Sequence, residues 1–162
     1  MWYARFYTRL GSMLALAGPD GLLGLYFADQ KYLPSLADAV EMPSHPMLRQ
    51  AQAQLNAWLA GDIETFDLPL APQGTLLQQQ VWQALQSIPA GQTWTYLQLA
   101  RHVGRERAVR AVAQAVARNP LIIVVPCHRV IGTNGSLTGF AAGIERKRAL
   151  LDREQPALAI AC

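Results

Sequence analysis

The chain has 162 residues, 51% of them hydrophobic and 15% charged, with a formal net charge of +3. That composition belongs to a soluble globular protein able to bury a real core in one large or two small domains. It excludes a membrane-spanning chain, because no stretch approaches ~20 uncharged apolar residues. The only cysteines, Cys127 and Cys162, are too few for a disulfide framework, and His45, His102 and His128 make no metal-ligand spacing. Met13–Gly18 is too short for a signal segment. A cytoplasmic protein with no metal and no cofactor is expected. The small net charge hides a division: residues 1–75 carry four basic and seven acidic side chains, residues 76–162 ten basic and four acidic. Most charge is simply solvated surface, but segregation by half favours a polyanionic partner for the C-terminal part.

Residues 4–7, 13–17 and 22–28 read as strands, the last two joined by the turn Gly18-Pro19-Asp20-Gly21. The polar, proline-punctuated segment 30–46 reads as loop. From Pro46 to Leu59, Leu48, Ala51, Leu55, Trp58 and Leu59 recur at helical steps, with Gly61 as the stop. Residues 66–70 suggest a short strand, and Pro72-Gln73-Gly74 a linker. Thr75 then caps a helix carrying Leu77, Val81, Trp82, Leu85 and Ile88 on one face, ended by Pro89-Ala90-Gly91. Thr95 caps a short helix from Tyr96 to about residue 103. After Gly104, a second helix over about 106–118 buries Val109, Val112, Ala113 and Val116 and turns Arg107, Ala111, Gln114 and Arg118 outward. Helix, glycine turn and helix make a helix-turn-helix pattern, a weak signal alone. Ala108, Ala111, Ala115 and Ala117 leave little bulk around Arg110, which suits close approach to a minor groove, although alanines are also just good helix formers.

The next segment is the informative one. Leu121-Ile122-Ile123-Val124-Val125 reads as a short buried strand, ended by Pro126, and delivers Cys127, His128 and Arg129 at its lip. A base beside a thiol makes thiolate and a cation stabilises it, so this is a nucleophile's setting. The bland alternative is a cysteine packed as a small hydrophobe, and neighbours on an extended chain point apart. Residues 132–135 read as a turn, Gly139 and Gly143 bracket a loop, and a last helix carries Arg146, Lys147, Arg148, Leu150 and Leu151 to Glu154. From Gln155 the tail reads as loose, with Cys162 a bystander.

With these residues in place, the chain resembles the O6-alkylguanine-DNA alkyltransferases, also called methylated-DNA–protein-cysteine methyltransferases. The likeness runs through Val81-Trp82, Thr95-Tyr96, Arg110-Ala111-Val112, Asn119-Pro120, Pro126-Cys127-His128-Arg129-Val130 and the helix ending at Glu154. It implies an α/β, ribonuclease-H-like domain over residues 1–72 and a mainly helical, winged-helix-like domain with the helix-turn-helix over 73–162. It further implies DNA repair by a single-turnover enzyme, a monomer that binds double-stranded DNA and moves the alkyl group of O6-alkylguanine to Cys127. O4-alkylthymine stays open as a second substrate.

By the same resemblance, His128 would take the thiol proton through a water, Glu154 would orient the imidazole, and Asn119 would tie the helix-turn-helix to the active-site segment. Tyr96 would press on the 3′ phosphate and hydrogen-bond the guanine, while Arg110 would replace the everted base in the stack. Ala108, Ala111, Gln114 and Arg118 would face the DNA, and Val130, Arg129, Phe140 and Ala141 would line the guanine pocket. Phe140 and Ala141 stand where many members have a tyrosine and some a serine, so fewer donors reach O6. The zinc site of some members has no counterpart. The competing readings are a thiol hydrolase with a Cys-His-Glu triad, a lesion sensor that binds without repair, and a helix-turn-helix regulator. The first would not need Arg110 or a basic half, and the second lacks an acceptor cysteine.

Overall fold

The computed structural model describes residues 1–137 and 139–155, which form two compact units. The first unit holds Met1–Gln73 together with Pro120–Val124; the second holds Gly74–Asn119 and the chain from Val125 onward. Cys162 lies outside the described residues.

In the first unit, β1 (Trp2–Thr8), β2 (Gly11–Ala17), β3 (Leu22–Phe27) and β4 (Val40–Glu41) form one sheet in the order β3-β2-β1-β4. The two hairpins are antiparallel, and β4 adds a short parallel edge on β1. β1 alternates, burying Ala4 and Phe6 and exposing Arg5 and Tyr7, as a half-buried strand should. β2 is central, and buried continuously from Met13 to Ala17. The helix α1 (Pro46–Ala60) packs on β1 and β2 through Leu48, Ala51, Leu55, Trp58 and Leu59. Proline opens it, where a missing N–H costs nothing, and Gly61 closes it in the left-handed conformation, φ +84°.

Two predicted strands are absent. Residues 66–70 give only one bridge, Leu22 with Leu70. Pro69 has no N–H to extend a ladder, and its carbonyl instead accepts Leu22 N at 2.8 Å. Gly21 is the residue that permits this approach, because a Cβ there would lie 2.7 Å from the Pro69 oxygen. The run 121–125 is almost wholly buried, as expected, but it is not a strand. Leu25 N donates to Pro120 O and Ile122 N to Leu25 O, which makes an isolated bridge between Leu25 and Leu121. The chain then makes a γ-turn at Ile123, φ +74°, closed by Val124 N to Ile122 O at 2.9 Å. An inverse γ-turn follows at Pro126, φ −81° and ψ 65°, closed by Cys127 N to Val125 O at 2.8 Å. A β-branched residue at positive φ is rare and costs on the order of 1–3 kcal/mol, so its surroundings must impose it.

The second unit contains α2 (Leu76–Leu85), α3 (Tyr96–His102), α4 (Val109–Ala117) and α5 (Ile144–Arg153), with β5 (Trp94–Thr95) and β6 (Val130–Ile131) paired in parallel. α2 and α3 both begin with a reciprocal capping box. Thr75 and Thr95 accept from the backbone N–H of Gln78 and Gln98, whose side chains reach back to the cap N–H. The predicted helix 106–118 opens as a 3₁₀ turn, Glu106–Ala108, before α4. Ala115, read as one of the small residues around Arg110, is instead buried, and its carbonyl accepts Trp82 Nε1 at 2.8 Å. Among the described residues no helix is long and apolar enough to cross a membrane.

Replacing Trp82 by Phe keeps the ring but removes that donor from a buried carbonyl. We expect a loss of about 1–3 kcal/mol, read as a lower denaturant midpoint at unchanged m-value.

Candidate functional site

The predicted nucleophile is placed by irregular backbone. After the inverse γ-turn, Cys127–Arg129 form a single 3₁₀ turn, so the expected extended lip is replaced by a curl that feeds β6. Curling matters because consecutive side chains of a 3₁₀ turn lie about 120° apart rather than on opposite faces. Cys127 and His128 are both buried, at 5% and 0% exposure. The pairing of Trp94 with Val130 and Thr95 with Ile131 ties the start of α3 to the exit of this turn. That brings Tyr96 within electrostatic reach of Cys127.

α5 supplies the acid. Glu154 caps its C-terminus, with its side chain 2% exposed. His128 Nε2 lies 2.8 Å from Glu154 Oε1. An ionised carboxylate can only accept, so Nε2 carries the proton and Nδ1 the lone pair. Arg129 completes the cluster: its Nε donates to both carboxylate oxygens at 3.0 Å, its Nη2 to Oε2, and its Nη1 to Ile88 O at 2.5 Å. Arg129 was expected to line a guanine pocket. Its guanidinium is committed to Glu154 instead, because a buried carboxylate needs a second cationic donor to stay ionised.

Asn119, two residues past α4, donates Nδ2 to Val125 O at 2.8 Å and also hydrogen-bonds Cys127. Val130 is fully buried, while Tyr96, Phe140 and Ala141 are half-buried. Gly139 packs against Tyr96: with φ +84°, a Cβ there would sit 2.9 Å from the tyrosine oxygen, so glycine fits this position for two reasons. Of the residues expected to face DNA, Arg110, Ala111, Gln114 and Arg118 are exposed and Ala108 is half-buried. Among the described residues, no three His, Cys, Asp or Glu side chains gather as a metal site needs.

The electrostatics follow from burial. Burial pushes the Cys127 thiol up to about 11, against the hydrogen bond from Asn119 and the charge of Lys147. Burial lowers His128, and the neighbouring charges of Arg129 and Lys147 add to that, opposed by Glu154. Burial also acts to raise Glu154, but hydrogen bonds from His128 and Arg129 outweigh it and hold the carboxyl at about 2. Burial raises Tyr96, and the charge on Cys127 adds to it. The resting arrangement is a thiol, a neutral imidazole and a carboxylate, so the imidazolium formed when sulfur gives up its proton has a counter-charge in place.

Lys147 was not singled out as a site residue. It is 1% exposed, on α5 in line with Leu150 and Glu154. A lysine in a buried i, i+3, i+7 stripe was the available signal.

The pH dependence of stability follows with its sign. The folded protein holds His128 neutral below its ordinary 6.5, so the unfolded chain binds the extra proton and stability falls as pH drops below about that value. Glu154 contributes fully above its ordinary 4.5, and that contribution is lost as pH falls toward about 2. Denaturant midpoints across pH should therefore decline in two stages, and Glu154→Gln should flatten the lower one. A midpoint level from neutral to acid would contradict a buried neutral imidazole.

Comparison with known proteins bears on the same region. Residues 76–156 match the family model of the 6-O-methylguanine DNA methyltransferase DNA-binding domain. A methylated-DNA–protein-cysteine methyltransferase of Methanosarcina acetivorans is 43% identical over 154 residues, covering 95% of this chain and 98% of that protein. Its counterpart from Mycobacterium bovis is 46% identical over 143 residues, covering 88% and 86%. Among solved structures, the Mycobacterium tuberculosis OGT in complex with DNA superposes with a TM-score of 0.89 at 41% identity, covering 95% of this chain and 93% of that one.

Proposed function

The chain belongs to the 6-O-methylguanine DNA methyltransferase family, and we propose that it repairs DNA by moving the alkyl group of O6-alkylguanine onto its own Cys127. The observation that carries this is the buried Cys127-His128-Arg129 turn closed by Glu154. It puts a soft nucleophile, a base of fixed tautomer and a permanent counter-ion into one buried cluster.

The steps follow from those residues. His128 Nδ1 takes the proton of the Cys127 thiol through a water, and Glu154 stabilises the imidazolium. The thiolate attacks the alkyl carbon, the carbon–O6 bond breaks, and its electron pair stays on guanine. Tyr96, kept a phenol, hydrogen-bonds the base as O6 departs and favours its protonation. Sulfur is left as a thioether, which nothing in the cluster can expel, so each molecule turns over once. Asn119 positions Cys127 through Val125. Val130, Phe140 and Ala141 form the pocket wall.

The target alkyl group lies within stacked bases, so the nucleotide is everted at a cost of a few kcal/mol. Arg110, exposed at the start of α4, fills the vacated stack, with Ala108, Ala111, Gln114 and Arg118 alongside at the minor groove. The ten basic residues after position 75 support a phosphate-tracking surface with no sequence to read. In this scheme residues 1–72 are a ribonuclease-H-like domain and 73–162 a winged-helix-like DNA-binding and acceptor domain, working as a cytoplasmic monomer.

Intact-protein mass after mixing with DNA containing O6-methylguanine should rise by one methylene and saturate at one per chain. Cys127→Ser should show no gain yet still bind DNA. Methylation of that variant, or at Cys162, would sink the assignment. Binding without any gain would favour a lesion sensor.

Arg110→Ala should slow repair in duplex DNA much more than transfer from free O6-benzylguanine, since only the duplex demands eversion. Equal slowing on both substrates would give Arg110 some other job.

A further inference from the structure

Lys147 takes no part in the proton path above, yet it is among the most deeply buried large side chains of the second unit. Lysine is almost never fully buried unless its charge is compensated. α5 presents it on the face that two turns later presents Glu154, so one helix brings a cation and an anion to the same turn. Its Nζ lies 6.0 Å from the ring centroid of Tyr96 and 5.9 Å from that of Phe140, within cation–π range of both. The titratable groups that face it are Cys127 and His128 from the 3₁₀ turn and Tyr96 from α3; Glu154 and Arg129 are committed to each other and to His128.

We propose that Lys147 is the counter-charge of the reactive sulfur: its buried ammonium, held over the rings of Tyr96 and Phe140, stabilises the Cys127 thiolate from which alkyl transfer starts. The proposal rests on Cys127 being the alkyl acceptor. Lys147 acts through Cys127 and makes or breaks no bond. The sulfur gives its proton to His128, while Lys147 keeps its own. Burial draws Lys147 down to about 8, against the pull of Cys127, so it is mostly charged at neutral pH, before the thiol ionises. Without it, the thiolate would form in an apolar surround facing only an imidazolium already neutralised by Glu154.

The test reads the sulfur directly. Iodoacetamide alkylates a thiolate with loss of iodide, and peptide mapping confines the measurement to Cys127. Wild type, Lys147→Met and Lys147→Arg are followed across a pH series. Methionine removes a buried charge while roughly keeping shape, a change that folded proteins often tolerate. Lys147→Gln, read the same way, serves if that variant does not fold. The reactivity midpoint should move up by about one pH unit or more in the methionine variant, on the order of tenfold slower alkylation at neutral pH. The arginine variant should stay near wild type. Coincident curves for wild type and Lys147→Met would overturn the proposal, as would a folded arginine variant that behaves like methionine. If wild type takes no methyl group from DNA while the curves still separate, the proposed function fails and the role of Lys147 stands. Intact methyl transfer with coincident curves fails Lys147 alone.

Discussion

One carboxylate organises the second unit. Both oxygens of Glu154 are in use, one shared by His128 and Arg129 and the other taken by Arg129. This fixes the imidazole tautomer and anchors the guanidinium, whose far side holds the Ile88 carbonyl beyond the end of α2. Three elements distant in sequence thus meet at a group 2% exposed. Such a cluster is not cheap stability. Its desolvation roughly cancels its attraction, but removing one member strands the others and costs several kcal/mol. What the arrangement supplies is definition: only one protonation pattern satisfies every partner.

A second constraint runs through α4. Trp82 holds the carbonyl of Ala115 from below, and Asn119, just past the helix, reaches Val125 and Cys127. The element expected to face DNA and the backbone that carries the nucleophile are therefore joined by one side-chain amide. The units exchange chain at this point, since Pro120–Val124 belongs to the first and Val125 to the second. Positive φ at Ile123 is the local mark of that crossing.

The legible parts of the sequence were those with a chemical reason to be local. The T-x-x-Q caps of α2 and α3, Gly61 after α1 and the apolar stripes gave helices at nearly their observed bounds. The Pro-Cys-His-Arg-Val run and Glu154 gave the members of the cluster. Residues 66–70 and 121–125 misled because an apolar run reports burial, not ladder pairing, and each carries a proline or abuts two. The destination of Arg129 depended on where α5 packs, which no local pattern contains, and the burial of Lys147 was hinted at only by its place in the stripe with Leu150 and Glu154. Ala115 illustrates the same limit, since a small residue in a helix reads alike whether its neighbour is solvent or Trp82.

The position of Glu154 also sets an order in time. Synthesis runs from the N-terminus, and domains generally fold as units as they emerge. Cys127, His128 and Arg129 are synthesised before any of α5. Until that helix follows, the imidazole has no partner to choose its tautomer and the guanidinium nothing to grip. A chain whose α5 has not yet folded into place carries the thiol but is not a competent acceptor. For a protein spent by a single event, late completion keeps unfinished copies from being consumed.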